Sequence, residues 1–540
     1  MASPNLHPLG CLDDIMPDID VPLVLSFRCP SAHHPATEAT LSHSFTSLIH
    51  ANYWLSGYIH SNLKELEGKY RPGTKFLSIQ SQDWDSVSGV SEGTKENTSQ
   101  IEFQDLSQHV LYSSTSYPEL VAQDMPSRYL SAELLVPDRS TPDLNVKSAL
   151  RARVTFIRDG IFVVLSTSHA LMDATSLSAV FGAWAAIARG EPSPPLSHGP
   201  ILSAELGLQD RHEKGALQNG TLEQNSSLDP SVLYADLKTQ KKLWWMLGLD
   251  YRPKAHSSAI IAQNIPAKET LTKIFKINGD TLTRLKKYCS QTETATLNET
   301  VGDSDESKEV DTIDKANGAW ISTNDALSAL LWRCMVRSRI RTAPELSSRT
   351  SSLMSAMNMR SSPALTPSTL SYSPRLANIV LYIINTSPIP NLVSSPPNPN
   401  AHPSTTSALA STALNIRSAT HAYTAPELVA QALQLAATVP DVSRLGLVYP
   451  TWLEHDVVIS SLLRLPLYST SWGNTFGKPE SGELRSEVPD FVRWPGKVFE
   501  GITFVMPRRR DGGVEVVVTM GVEDMEVLKG DAEWRRYVEG

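Results

Sequence analysis

One histidine and one aspartate, His169 and Asp173, are separated by three residues where an apolar segment changes its periodicity. A histidine can take the proton of a hydroxyl group as its oxygen attacks, because an unperturbed imidazole has a pKa of about 6.5. The imidazolium can then return this proton to a departing thiolate, so acyl transfer from a thioester to an alcohol needs no acyl-enzyme. His169 is therefore a candidate general base, and Asp173 is a candidate support of its loop. A structural core histidine and a plain N-cap aspartate are the alternatives.

The spacing alone is weak evidence, because a chain with 14 histidines should contain about 0.7 such pairs by chance. The surrounding pattern is more informative. Segments 152–157 and 161–166 are typical of β-strands, and Arg158-Asp159-Gly160 between them is typical of a turn. Apolar residues then recur at helical spacing, at Leu177, Val180, Phe181, Trp184 and Ile187. The pattern predicts a buried strand that ends at His169 and a helix that begins near Asp173.

Helix and strand signals also mix in the remainder of the chain. Thr323-Asn324-Asp325 precedes a leucine-rich segment at 326–337 and predicts a capped helix. Segments 501–506 and 514–520 flank a turn and predict a β-hairpin. Four polar segments predict loops or linkers, at 86–104, 190–231, 292–316 and 388–406. The predicted fold class is α/β, with mixed β-sheets flanked by helices.

The 540 residues exceed what one hydrophobic core can organise, since single cores stop growing at about 250–300 residues. The composition, 41% hydrophobic and 19% charged, is typical of globular proteins. We predict an N-terminal domain at 1–190 that carries the histidine–aspartate pair, a crossover linker at 191–262, and a C-terminal domain at 263–540.

Charge and cysteine content exclude several classes of function. A net charge of -9 disfavours binding to nucleic acid, which requires clustered Lys and Arg. The four cysteines form no CxxC pair, so we predict neither a metal site nor a disulfide framework. No segment reaches the roughly 18–20 apolar residues of a membrane span, and the N-terminus does not resemble a secretory signal. We expect a cytoplasmic protein without membrane partners.

Residues 168–174, Ser-His-Ala-Leu-Met-Asp-Ala, resemble the HxxxDG motif of BAHD-type acyltransferases, and of their fungal branch that includes trichothecene 3-O-acetyltransferase. Other segments resemble elements of this family in the family's order and over nearly the full chain. They are the entry to the first strand (12–17), the helix of the second domain (322–333), the N-x-R element (358–360), the Gly-Asn pair (377–378), the T-S-W segment (460–468), the DFGWGKP motif (471–479) and the closing hairpin (504–513).

The resemblance implies two chloramphenicol-acetyltransferase-like domains with a solvent channel at their interface. It implies that His169 is the base, that Asp173 is structural and pairs with Arg360, and that Ser460 lies near the reacting centre as a substrate or oxyanion contact. The co-substrate is expected to be an acyl-CoA, with acetyl-CoA as the default donor, and the acceptor a small-molecule alcohol. No bound cofactor is expected, and the chain is expected to be a monomer.

Four positions depart from the family pattern. Ser168 replaces a frequent histidine and Ala174 replaces the motif glycine, and both changes look tolerable. Ser471 stands where the family has aspartate, so we expect the charge pairing of that motif to be lost. Leu462 replaces a tryptophan that helps to shape the acceptor pocket.

Three other functions are compatible with parts of this pattern. A condensation-type protein, which forms amides or esters, would share the fold and the histidine but use a carrier-bound acyl donor. In either enzyme, the sequence leaves open whether oxygen or nitrogen is the nucleophile. A catalytically silent binding protein of this fold is motivated by the residues found at 462 and 471. Residues 89–93 fit the G-x-S-x-G motif of serine hydrolases, but polar flanks replace the strand and helix that this motif requires.

Overall fold

The computed structural model of the chain describes these residues: 5–61, 63, 66, 68–79, 100–194, 196, 230–251, 269–290, 320–365, 376–394, 407–448, 455–477, 487–496, 498 and 500–539. The predicted loop at 292–316, the G-x-S-x-G segment at 89–93 and residues 478–479 of the DFGWGKP-like segment lie outside them.

The strands are β1 (Asn5–Pro8), β2 (Asp20–Arg28), β3 (Tyr58–His60), β4 (Phe76–Ile79), β5 (Ile101–Asp105), β6 (Val146–Ser148), β7 (Leu150–Ile157), β8 (Gly160–Ser168), β9 (Leu249–Tyr251), β10 (Thr270–Ile277), β11 (Thr350–Asn358), β12 (Val380–Pro388), β13 (Leu445–Leu447), β14 (Val457–Ser461), β15 (Phe491–Arg493), β16 (Ile502–Val505) and β17 (Val514–Gly521). The α-helices are α1 (Cys11–Ile15), α2 (His34–Ala51), α3 (Tyr117–Ala122), α4 (Ala132–Leu135), α5 (Ala174–Ala188), α6 (Pro230–Leu237), α7 (Lys241–Leu247), α8 (Gly279–Ser290), α9 (Thr323–Thr342), α10 (Ile389–Val393), α11 (Ala408–Tyr423), α12 (Pro426–Thr438), α13 (Val522–Gly530) and α14 (Ala532–Tyr537).

A five-stranded sheet of order β15-β2-β8-β7-β5 holds the strand that leads to His169. The β7–β8 hairpin at its centre confirms the two predicted strands and their turn. Every residue of β8 is buried, because its two faces pack into different apolar clusters. Val163 belongs to one cluster, and Val164 belongs to the other. A strand covered on both sides gives the following residue a fixed starting point.

The edges of this sheet differ from the sequence prediction. Strand β5 pairs parallel to β7, so the loop predicted at 86–104 is wrong at its C-terminal end. Ile101 is buried and Phe103 packs against the same cluster, a period-2 pattern too short to stand out within a polar segment. At the opposite edge, β15 pairs antiparallel to β2. A strand from the C-terminal part of the chain therefore completes the N-terminal sheet.

Helices α2 and α5 pack against each other beside this sheet. The indole N–H of Trp184 on α5 donates to the Ser44 hydroxyl on α2 at 3.0 Å. The rings of Phe45 and Trp184 meet edge to face at 4.8 Å, a favoured geometry for aromatic pairs. These contacts fix the axis of the helix that follows His169. A smaller sheet of order β1-β4-β3-β6 also lies in the N-terminal part.

The C-terminal part contains a six-stranded mixed sheet of order β10-β17-β16-β14-β11-β12. Strand β14 runs parallel to β11 and β16, while β16 and β17 form the predicted hairpin. Helix α9 belongs to the apolar core of this part. It is capped by Ser322, which exchanges hydrogen bonds with Asp325. The helix thus starts three residues before its predicted start at 326, because Asp325 lies in its first turn rather than ahead of it.

The segment predicted as a linker, 191–262, contains α6, α7 and β9 among its described residues. Apolar side chains of these elements pack with α1 and α12 in a third core cluster. The predicted loop at 388–406 likewise begins with a short helix, α10. The domain boundaries at 190 and 262 stay predictions. Within the described ranges, no helix combines the length and the apolar character that crossing a membrane requires.

Candidate active site

His169 lies in the turn between β8 and α5. Its backbone N–H donates to the Ile19 carbonyl at 2.8 Å. The neighbouring Ser168 hydroxyl donates to Asp18 Oδ1 at 2.7 Å and accepts from the Ala170 N–H at 3.1 Å. These bonds fix the turn, whereas His169 itself is only partly buried. Serine at 168 is therefore not merely tolerated, since its hydroxyl contributes to holding this turn.

Asp173 is the N-cap of α5, and its Oδ1 accepts from the Ser176 N–H at 2.9 Å. Arg360 approaches the same carboxylate with both terminal nitrogens, Nη1 to Oδ2 at 2.8 Å and Nη2 to Oδ1 at 3.0 Å. The N–H of Ile379 donates to Oδ2 at 3.2 Å. Such a bidentate pair is strong and directional. It ties the start of α5 to the segment that follows β11.

Arg360 makes further contacts that extend this connection. Its Nη2 donates to the Ser176 hydroxyl and to the Ala377 carbonyl, both at 2.8 Å. Its backbone N–H donates to Asn358 Oδ1 at 3.0 Å, and Asn358 Nδ2 donates to the Thr175 hydroxyl at 3.3 Å. The N-x-R element thus joins the C-terminal sheet to the first turn of α5.

Asn378 contacts the imidazole directly, although the sequence indicated no role for it beyond its place in a motif. Its Oδ1 lies 3.1 Å from His169 Nδ1, and its Nδ2 donates to the His169 carbonyl at 2.6 Å. Both the side-chain Nδ2 and the backbone N–H of Asn378 also donate to Asp13 Oδ1, at 2.9 and 2.8 Å. His169, Asn378 and Asp13 therefore form one hydrogen-bonded row.

Asp13 is the functional candidate that the sequence did not reveal. It lies on α1, where Asp13 and Asp14 are each 3% exposed, and adjacent buried carboxylates are rare unless they are paired. Two acidic residues between Leu12 and Ile15 were the available signal. Burial raises the pKa of Asp13 to about 7 from an ordinary 3.8, and the hydrogen bonds from Asn378 oppose this rise.

A pH dependence of stability follows from this shift. The folded state keeps the Asp13 proton up to about pH 7, whereas the unfolded chain releases it near its ordinary pKa of about 4. Asp13 therefore contributes most below about pH 4, and this stability is lost as the pH rises to about 7. In urea unfolding across that range, Asp13→Asn should lose less stability than the parent, by up to about 1.4 kcal/mol per pH unit. If the free energies of unfolding of the parent and of Asp13→Asn changed equally with pH, the raised pKa of Asp13 would be contradicted.

Ser460 lies on β14, beside Phe504 of β16. Its neighbour Ile459 is buried in the C-terminal core, so alternation along the strand directs Ser460 to the opposite sheet face. Tyr382 lies on that face and its hydroxyl approaches the Met16 sulfur at 3.9 Å, so the face looks toward the N-terminal part. Among the described residues, the Ser460 hydroxyl has no hydrogen-bond partner. It therefore remains available to a bound molecule.

The two residues that depart from the family pattern, Ser471 and Leu462, are both described in the structure. Arg189, at the end of α5, donates to the Ser471 backbone carbonyl and pairs with Glu191, from Nε to Oε1 at 2.7 Å. The guanidinium beside Ser471 thus pairs with the carboxylate of Glu191. Trp472 is fully buried, with its ring 5.3 Å from that of Trp184. Leu462 is also buried, in the main N-terminal cluster. Within the described ranges, no cluster of three or more His, Cys, Asp or Glu side chains could hold a metal ion.

The chain is similar to known transferases in sequence. Residues 119–370 match the model of the Transferase family. The chain is 24% identical over 536 residues to eremophilane O-acetyltransferase of Penicillium roqueforti, covering 98% of this chain and 97% of the relative. It is 24% identical over 396 residues to trichothecene 3-O-acetyltransferase of Fusarium sporotrichioides, covering 72% of this chain and 68% of the relative.

The fold is similar to that of a solved enzyme. The Fusarium graminearum TRI101 structure, complexed with coenzyme A and T-2 mycotoxin, superposes with a TM-score of 0.66 at 18% identity, covering 99% of both chains. This likeness confirms the predicted α/β fold with mixed β-sheets flanked by helices, and the predicted two-domain arrangement is consistent with it. The match over residues 119–370 and the O-acetyltransferase relatives lead to one conclusion: the chain is an acyltransferase similar to members of the Transferase family.

Proposed function

We propose that the chain transfers an acyl group, with acetyl as the default, from coenzyme A to a hydroxyl of a small secondary metabolite. The observation that carries this proposal is the contact between His169 Nδ1 and Asn378 Oδ1. A carbonyl oxygen only accepts hydrogen bonds, so Nδ1 carries the hydrogen and Nε2 holds the free lone pair. Nε2 is the nitrogen that takes the proton of the acceptor hydroxyl.

The reaction then needs two proton movements and no covalent enzyme intermediate. As Nε2 of His169 takes the hydroxyl proton, the acceptor oxygen forms a bond to the thioester carbonyl carbon. The carbon–sulfur bond breaks next, and the thiolate receives the proton from the imidazolium. The Ser460 hydroxyl donates to the oxyanion that exists between these steps. The co-substrates are an acyl-CoA and an alcohol. A single chain catalyses their reaction without a metal ion or bound cofactor.

The cysteines support direct transfer over an acyl-enzyme. All four are buried and free, and burial raises the pKa of the Cys11 thiol to about 12 and that of Cys29 to about 11. Burial also raises the pKa of Cys289 to about 12 and that of Cys334 still further. Because the thiolate is the nucleophilic form, these side chains are poorly suited to accept an acyl group.

The relatives guide the choice of acceptor. Two that cover most of this chain are named for acetylation of eremophilanes and of trichothecenes at oxygen, and the solved neighbour binds coenzyme A with T-2 mycotoxin. We therefore infer an alcohol on a polycyclic skeleton as the substrate class. The hydrogen bond that His169 Nδ1 donates to Asn378 Oδ1 and the contacts of Asp173 suit an enzyme better than a silent binding protein, because they prepare a base.

The test is an activity measurement on the purified full-length chain. Acetyl-CoA is supplied with hydroxylated eremophilanes, trichothecenes and simple alcohols, with matched amines as the comparison. We expect thiol release that depends on the alcohol, together with a product that gains one acetyl group. Intact-protein mass spectra during single turnover should show unmodified enzyme. Binding without turnover, turnover only with a carrier-bound donor, or an acetylated enzyme would each overturn the proposal.

A further inference from the structure

We propose that Asp13 is a positioning residue that fixes the tautomer of His169 through Asn378. This inference rests on the proposed role of His169 as the base, and it adds a residue that never touches the reacting atoms. Asp13 and Asn378 are 365 positions apart, and Asn378 and His169 are 209 apart. Tertiary structure alone therefore brings the three side chains into one row.

The Asn378 amide is held in one orientation. Its Nδ2 faces two oxygens, the His169 carbonyl at 2.6 Å and Asp13 Oδ1 at 2.9 Å. Each of its two hydrogens thus has an acceptor. If the amide were rotated by half a turn, its carbonyl oxygen would face these two acceptors at the same distances. Asp13 therefore helps to exclude the rotated amide and keeps Oδ1 directed at the imidazole.

The orientation of this amide decides which nitrogen of the His169 imidazole carries the hydrogen. With Oδ1 opposite Nδ1 at 3.1 Å, the neutral ring is stable with its hydrogen on Nδ1, and Nε2 is left as the basic nitrogen. A rotated amide would place an N–H against Nδ1 and favour the other tautomer. That tautomer carries its hydrogen on Nε2 and cannot accept a proton there. The orientation of one amide thus separates a ring that can act as a base from one that cannot.

Asp13 is held in place through its neighbour on α1. Its neighbour Asp14 accepts from Arg71 Nη2 at 3.2 Å and from the Lys75 N–H at 2.9 Å. Arg71 also donates to the Ala436 carbonyl at 2.7 Å, near the end of α12. Helix α1 is therefore fixed by its second carboxylate, while its first carboxylate is directed at Asn378. Asp14 therefore anchors the helix, and Asp13 contacts Asn378.

A purely structural role for Asp13 makes a different prediction, because lost stability would not change which nitrogen of His169 carries the hydrogen. The tautomer can be read directly in the full-length protein with ¹⁵N-labelled histidine, through two-bond ¹H–¹⁵N correlations at about pH 8, where an unperturbed imidazole is neutral. His169→Gln identifies the His169 signals by their disappearance. We expect a protonated Nδ1 in the parent protein, and a protonated Nε2 there would overturn the proposal without any variant of Asp13.

Two variants separate the acceptor from the charge. Asp13→Leu removes both oxygens, and we expect the Nε2–H form to become populated and kcat to fall by at least about tenfold, the value of one charged hydrogen bond. The KM for acetyl-CoA should change little. Asp13→Asn keeps one oxygen acceptor, so it should retain the Nδ1–H form and most of kcat. An unchanged tautomer in Asp13→Leu, or equal losses in both variants, would refute the role.

Asp531→Leu provides the matched control. Asp531 is 2% exposed and caps α14, where it pairs with Arg337 at 2.9 Å, so its loss should lower stability without altering the His169 signals. The outcomes also separate this inference from the proposed function. If His169→Gln kept full turnover, the proposed base would be wrong, while the tautomer measurement would still report on Asp13.

Discussion

Replacing His169 by alanine is expected to lower kcat by about 10²–10⁴-fold, the usual contribution of a positioned general base. The reason is local. The ring lies at the end of a strand that is buried on both faces, and its Nδ1 meets Asn378 Oδ1 at 3.1 Å. Removing the imidazole leaves the acceptor hydroxyl without a base, whereas the backbone bonds of the turn remain. The measurement is steady-state release of thiol from acetyl-CoA at saturating alcohol, expressed per folded molecule.

His34→Ala is a suitable control for this experiment. His34 lies on α2, where its Nε2 is 3.2 Å from the Cys29 carbonyl and its ring is 4.6 Å from that of Phe156. This variant loses a histidine with comparable packing but without a place in the proposed reaction. We expect its kcat to stay near that of the parent. If His169→Ala kept parental turnover, the proposed chemistry could not be correct.

Local sequence patterns were sufficient for the elements that position His169. The turn Arg158-Asp159-Gly160 and the apolar residues on either side predicted β7 and β8, and the helical spacing after Asp173 predicted α5. These predictions succeeded because each depends on interactions among residues close in sequence. The short strand at Ile101–Asp105 was missed, because its pairing with β7 outweighs the polar composition around it.

Long-range contacts were not accessible in the same way. The pairing of Arg360 with Asp173 was expected only from the family resemblance, since 187 positions separate the two residues. The acidic pair between Leu12 and Ile15 is the one local signal for Asp13, and only folding reveals that this residue is buried against Asn378. Likewise, the contact of Arg189 with the Ser471 carbonyl joins residues 282 positions apart, which no local pattern predicts. The sequence therefore identified the candidate base, but not the residues that orient it.

Replacing Arg360 by alanine is expected to lower the free energy of unfolding by about 3–5 kcal/mol, the usual cost of removing one partner of a buried ion pair. The Asp173 side chain is 5% exposed and the Arg360 side chain 19%, so water cannot fully replace the lost cation. The Ser176 hydroxyl and the Ala377 carbonyl lose a donor as well. Urea unfolding at neutral pH measures the effect, and a loss below about 1 kcal/mol, as for a surface pair, would contradict it.

A double-mutant cycle tests whether this destabilisation arises from the pair itself. Asp173→Ala and Arg360→Ala each leave a partner uncompensated, whereas the double variant leaves neither charge, so its loss should be smaller than the two single losses added together. Asp173→Asn keeps an oxygen that can cap α5 but loses the bidentate contact. Its free energy of unfolding should therefore lie between those of the parent and Asp173→Ala. Arg360 contacts the cap of α5 and not the His169 ring, so kcat per folded molecule should fall far less than in His169→Ala. Additive losses would mean that the two residues stabilise the fold independently, and the connection between the N-x-R element and the histidine turn would then need another explanation.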